Sequence, residues 1–278
     1  MNPEPRRQED YSPRQVEAAH RVLVDVGQVL ASFAECFVVV GGWVTDLVLD
    51  LDQEDPHVGS IDVDLALNVG KLGGERYAEL IRSLLATGRY RKGAKDFQLV
   101  VVVDLQDGEE PVQVEVEFLA PRGARMKKHH PKLLKGFRVL ETEGCRAAFQ
   151  APQTLPLEGK TVRGAENKVR LQVASLPDFL VMKAHAIAGR DKPKDSYDFC
   201  YGLDHFPGGV EALAANWKRR MEEKDVAKAV AVLREKFSST QAFGPQQVVE
   251  FRNSPDPETR SAQARRAYEL VKKFLGLL

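Results

Sequence analysis

The sequence is poor in the features that would staple, anchor or export it. Cysteine occurs only at Cys36, Cys145 and Cys200 in 278 residues, an odd number with no CxxC or Cys/His ligand spacing. That excludes a disulfide framework and a zinc site, and fits buried thiols in a reducing cytosol. No apolar run approaches the roughly 18 residues a membrane span needs. Residues 1–10 are polar and have no apolar segment of signal-peptide type behind them, so a soluble, cytoplasmic protein is expected. Internal repeats and low-complexity tracts are absent, and so is net charge, with 40 Lys+Arg against 40 Asp+Glu. What remains is a chain long enough to bury a real core as one large domain or two ordinary ones.

The zero average conceals a division. Residues 1–118 carry 11 basic and 22 acidic side chains, whereas residues 119–278 carry 29 and 18. Such an asymmetry suits contact with a polyanion, whose counterions Lys and Arg displace, and it equally suits mutual attraction of the two parts.

The patterning predicts α/β followed by α. Residues 1–12 read as a frayed leader. Ser12-Pro13 opens a helix running to about residue 33, with Val16, Ala19, Val22, Leu23, Val26 and Leu30 at helical spacing. The apolar run 37–40 predicts a buried strand ending at Gly41-Gly42, and a helix starts at Trp43. Residues 60–67 alternate at period two, and 75–85 read as an amphipathic helix. Residues 98–105 and 112–119 predict a hairpin around Asp107-Gly108. Ser175-Leu176-Pro177-Asp178 is a helix start, Pro193 interrupts that helix, and everything beyond residue 210 has helical periodicity. The domains expected are a core over 13–150 and a mainly helical part over 151–278 that completes an active-site cleft.

In the alternating segment Asp62 and Asp64 share one face while Ile61, Val63 and Leu65 share the other. Carboxylates at i and i+2 of a strand stand roughly 7 Å apart, close enough to grip one hard divalent cation. A third, Glu117 or Glu115, is offered by a strand that would have to lie beside the first. This set suits Mg²⁺-assisted phosphoryl transfer, and the Gly41-Gly42 turn with the following helix N-terminus suits a phosphate. Each part has a plainer reading: a wet strand face, a tight turn, a charged hairpin edge that blocks unwanted pairing. On pattern alone Lys183 in an apolar helix reads more readily as a snorkelling lysine than as a functional one, and Lys194 with Asp198 at i, i+4 reads as a surface ion pair. Trp43 reads as the cover of the glycine turn, and His185 as packing.

Taken in order, a strand ending in Gly-Gly, a helix, Ser60-x-Asp62-x-Asp64 and an acidic strand resemble the polymerase-β-type nucleotidyltransferase superfamily. The segment Lys183-x6-Arg190-x-Lys192-x-Lys194-Asp195-x2-Asp198, ending in Tyr201-Gly202-Leu203, is similar to the Lys…Arg…Lys-Asp…Asp segment of AbiEii-type toxins of type IV toxin–antitoxin systems. The likeness covers residues 37–203 in ordered fragments. It departs from the superfamily in the long separation of Gly42 from Asp62, with residues 51–59 as the insertion.

The resemblance implies a nucleotidyltransferase with a mixed sheet. Asp62, Asp64 and Glu117 would bind two Mg²⁺ ions, with Mn²⁺ as a substitute, and Gly41, Gly42 and Ser60 would border the triphosphate. Lys183, Arg190 and Lys194 would face nucleotide phosphates, Lys192 would add charge, and Asp195 would be the second-motif acid with Asp198 as its partner. The partners implied are an NTP, an RNA acceptor such as the tRNA 3′ end, and a cognate antitoxin. The basic stretch 122–138 and Arg265, Arg266, Lys272 and Lys273 are the candidate RNA contacts, although aromatics to stack bases are sparse there. The competing readings are a degenerate nucleotide-binding module and an enzyme acting on a small molecule such as an aminoglycoside.

Overall fold

Helix α1 (Pro13–Val29) starts where the capping residues place it. The Ser12 Oγ accepts from the Gln15 amide at 3.2 Å, and the Gln15 side-chain carbonyl accepts from the Ser12 amide at 3.1 Å. The helix stops at Val29 and residues 31–33 tighten into a 3₁₀ turn, four residues short of the expected end. The computed structural model describes residues 4–49, 55–72, 76–124 and 137–278. They divide into two compact units: Ser12–Leu47 with Gly59–Ala174, and Met1–Tyr11 with Val48–Val58 and Ser175–Leu278.

The first unit is α/β. In chain order it holds α1, β1 (Phe37–Val40), most of α2 (Trp43–Val48), β2 (Asp62–Leu67), α3 (Arg76–Ala86), β3 (Arg91–Lys92), β4 (Gln98–Val103), β5 (Val112–Pro121), β6 (Leu140–Thr142), β7 (Gln153–Lys160) and β8 (Glu166–Val173). The strands form one mixed sheet in the order β3-β4-β5-β2-β1-β8-β7, with β6 also paired to β5. The hairpin β4–β5 is antiparallel, while β2–β5 and β1–β8 are parallel.

Register then assigns the two faces. Val39, Leu65 and Phe118 lie in one row, with Val173 opposite Val39, and all are buried. Helix α1 covers this apolar face so closely that a Cβ on Gly27 would come within 2.8 Å of Val169 and 3.1 Å of Leu171. The next row, Val40, Asp64, Glu117 and Gln98, belongs to the opposite face.

The second unit is helical among its described residues: α4 (Leu176–Gly189), α5 (Pro193–Asp204), α6 (Gly209–Arg219), α7 (Lys224–Lys236), α8 (Phe243–Arg252) and α9 (Pro257–Leu277). Ser175 caps α4, and Pro177 sits in its first turn. Phe199, Trp217, Phe251 and Phe274 fill the core, Trp217 meeting Phe274 edge-on at 5.1 Å. Among its described residues the leader is tied down: Arg6 Nε donates to Glu250 at 2.8 Å, and Tyr11 is buried against Phe251 at 5.7 Å. An ion pair and an aromatic contact offset the ordering entropy that a polar segment alone could not. The three cysteines are buried and in no disulfide among the described residues, and burial pushes the Cys36 and Cys200 thiols up. Among the described residues no helix is long and apolar enough to cross a membrane.

Candidate active site

In the α/β unit, the parallel ladder sets Asp62 opposite Glu115 and Asp64 opposite Glu117. Partners in such a ladder project the same way, so four carboxylates share one patch of the face away from α1. Their environments differ. Glu117 accepts from Lys95 Nζ at 2.7 Å and from Gln98 Nε2 at 3.1 Å, and Glu115 accepts from Gln98 at 2.6 Å. Gln98 is 1% exposed, its amide packed so tightly that a Cβ on Gly93 would meet its Oε1 at 2.3 Å. Asp62 Oδ1 accepts from Ser60 Oγ at 2.7 Å.

The glycine turn abuts this patch. Gly41 has φ +72°, and a Cβ there would lie 2.2 Å from Asp64 Oδ2, so both the backbone conformation and the close approach require glycine. Trp43 is 3% exposed, and its Nε1–H donates to the Asp62 carbonyl at 2.7 Å, tying the start of α2 to the start of β2. Thr45 Oγ1 donates to the Gly42 carbonyl at 2.8 Å. The tryptophan is buried and holds the aspartate strand rather than offering a free stacking face.

The helical unit gathers the second set. Lys183 Nζ lies 2.8 Å from Asp195 Oδ1 and 2.7 Å from Asp198 Oδ2. Arg190 donates to both oxygens of Asp195, at 2.7 and 3.0 Å. Lys194 reaches both oxygens of Asp198, at 2.8 and 3.0 Å, and is 3% exposed. The surface-pair reading of Lys194 is thereby corrected: α5 turns both groups inward, and neither Lys183 nor Lys194 snorkels. Burial alone would pull the Lys183 ammonium down, but Asp195 and Asp198 outweigh it and hold it above the usual range. Burial would likewise raise both aspartates, yet Lys183 with Arg190 holds Asp195 low, and Lys183 with Lys194 holds Asp198 well below its ordinary value.

Sequence reasoning missed His57, Lys95 and Gln98. Only Lys95 carries any signal, a cation just before an acidic hairpin. Of the basic stretches, residues 125–136 lie outside the described residues, and Arg122 pairs with Glu143. On α9, Arg266 pairs with Asp204 and Lys273 with Glu211, so part of that patch is internally neutralised.

The model of the family described as "Nucleotidyl transferase AbiEii toxin, Type IV TA system" matches residues 21–276. The chain belongs to this family. It is therefore a nucleotidyltransferase of the AbiEii toxin type, and its substrate is a nucleotide. It is also similar to a solved structure, an antigenic nucleotidyltransferase-like protein from Paracoccidioides brasiliensis, at 18% identity and a TM-score of 0.45, over 81% of this chain and 89% of that one. No curated protein matches the sequence.

The donor set of this AbiEii-family chain fits a hard divalent cation in one specific way. Among the described residues no three His, Cys, Asp or Glu side chains gather as a preformed metal cage. Mg²⁺ needs less, being commonly held by one or two carboxylates together with substrate phosphates. Asp62 and Asp64 provide those oxygens on one strand face, beside a turn that admits close approach.

Proposed function

We propose that the protein transfers a nucleoside monophosphate from an NTP to the 3′ end of a tRNA in the cytoplasm, and that a cognate antitoxin restrains it. The observation that carries this reading is the register setting Asp62 and Asp64 opposite Glu115 and Glu117, on a face bordered by the Gly41 turn. In the reaction an acceptor hydroxyl attacks the α-phosphorus, the bond to the pyrophosphate oxygen breaks, and a carboxylate of the patch accepts the hydroxyl proton. Mg²⁺ or Mn²⁺ held by Asp62 and Asp64 would neutralise charge on the phosphate oxygens. Glu117 joins that set when it leaves Lys95.

Lys183 serves the nucleotide phosphates. An ammonium has three N–H groups, and Asp195 and Asp198 take two, which leaves one to donate. Asp195 holds Lys183 and Arg190 in place, and Arg190, with its side chain 51% exposed, adds charge at the surface. Lys194 acts one step back, as the counter-ion of Asp198. A polyanionic acceptor is supported by the 29 basic against 18 acidic residues of 119–278, which offset the repulsion that the acidic residues 1–118 exert on RNA.

The test is incubation with each α-labelled NTP, Mg²⁺ and total RNA, beside Asp64→Ala. Labelled tRNA from the wild type alone is expected, together with arrested growth when the wild type, but not Asp64→Ala, is expressed without its neighbour. Magnesium-dependent NTP binding with no turnover favours the nucleotide-binding module. A labelled small molecule with unlabelled RNA moves the acceptor to another class.

A further inference from the structure

His57, in the segment between α2 and β2, is a polar group at the Lys183–Asp198 network that no sequence motif accounts for. His57 has a side chain with 0% exposure, and its Nε2 lies 3.0 Å from Asp198 Oδ1. Lys183 and Lys194 keep Asp198 ionised. A carboxylate only accepts, so the imidazole must donate from Nε2. The ring is held by two aromatic neighbours, stacked on Tyr197 at 5.5 Å with an interplanar angle of 15° and tilted against Tyr201 at 5.0 Å. The segment is fastened independently of it: Tyr201 Oη donates to the Asp55 carbonyl at 2.9 Å, and Arg252 pairs with the Asp55 carboxylate at 3.2 Å.

We infer that His57 is a positioning residue for Lys183, acting through Asp198. Lys194 spans both oxygens of Asp198, at 2.8 and 3.0 Å, and the imidazole adds a donor to Oδ1 alone, at 3.0 Å, which fixes the carboxylate plane with Oδ2 at 2.7 Å from Lys183. Without the imidazole Oδ1 loses its second donor, and the carboxylate is free to turn about Lys194, which carries Oδ2 away from Lys183 and leaves that ammonium to Asp195. The ammonium's remaining N–H then points elsewhere. A mere fastening role would act through Asp55 and need no donor at position 57.

This inference rests on the proposed role of Lys183 at the nucleotide, so its test has one readout that needs no turnover. His57→Phe keeps the stacking and removes the donor, His57→Gln restores an amide donor near the Nε2 position, and Asp55→Ala loosens the segment alone. In ¹⁵N-lysine NMR of the full chain, the Lys183 ammonium resonance, assigned with Lys183→Arg, should shift or broaden in His57→Phe and stay in place in Asp55→Ala. With NTP, His57→Phe should raise KM about tenfold with a smaller change in kcat, and His57→Gln should recover most of it. A Lys183 resonance unmoved in a folded His57→Phe overturns the inference whatever the activity. So does a His57→Gln variant as impaired in KM as His57→Phe. A moved resonance in a protein that neither binds nor turns over NTP upholds the positioning and removes the proposed function instead.

Discussion

Asp64 and Glu117 are ladder partners across β2 and β5, and Glu117 is tied to Lys95 at 2.7 Å. Asp64 instead lies against Gly41, where a Cβ would meet its Oδ2 at 2.2 Å. The two acids thus have different neighbours: Asp64 is built against the glycine turn, and Glu117 pairs with a lysine whose side chain is 52% exposed.

The first prediction follows for Asp64. Asp64→Asn removes one of four neighbouring carboxylates, so like-charge repulsion falls and stability should stay within about 0.5 kcal/mol or rise. Nucleotidyl transfer should drop to background. Urea denaturation and a labelled-NTP assay measure the two effects. A variant that loses stability and activity in proportion would make Asp64 a structural residue.

Lys95 offers the converse. Its ion pair with Glu117 is solvent-facing and worth little to the fold. Lys95→Met should leave the melting temperature almost unchanged and tighten Mn²⁺ binding, read by the loss of the free-ion EPR signal, because the cation no longer competes with an ammonium for Glu117. Unchanged Mn²⁺ affinity would remove Glu117 from the metal set.

Gly41 and Gly88 separate backbone strain from close approach. Both have φ +72°, but a Cβ at Gly88 meets nothing within 4 Å, whereas one at Gly41 overlaps Asp64. Gly88→Ala should cost about 1 kcal/mol and spare activity. Gly41→Ala should cost more than that and abolish transfer by displacing the Asp64 carboxylate. Equal stability losses with activity kept in both would show that the turn tolerates a side chain.

Much of this was legible in the chain itself, for local reasons. The alternation around Val63 fixes which way Asp62 and Asp64 point, and the strand 112–119 repeats the pattern, so a single pairing was enough to join them. Ser12 and Ser175 announce their helices because caps act within three residues. The spacing of Lys194 and Asp198 gave their pairing but not their burial, which depends on α4 meeting α5 so closely that a Cβ on Gly202 would stand 3.0 Å from Leu180. His57 was silent because its partner lies 141 residues away and a lone histidine in a loop has no period to read. Arg6 and Tyr11 were misread for the same reason: their partners, Glu250 and Phe251, lie at the far end of the chain.

The last prediction uses the depressed acids of the helical unit. Asp195 and Asp198 both fall below their ordinary value of 3.8 because the neighbouring cations outweigh the cost of burial. A carboxylate depressed by folding stabilises the fold fully above its unfolded pKa and loses that contribution as pH falls through the folded one. The network therefore stabilises the protein at neutral pH and weakens progressively below about pH 4. Asp198→Asn leaves Lys183 and Lys194 short of a counter-charge in the interior, which should cost about 3–5 kcal/mol at pH 7. The variant has no Asp198 proton to take up, so its deficit relative to wild type should shrink as pH is lowered from 5 towards 2.5. Urea midpoints collected across that range decide the matter, and a deficit that stays constant would mean that folding does not depress the Asp198 carboxyl.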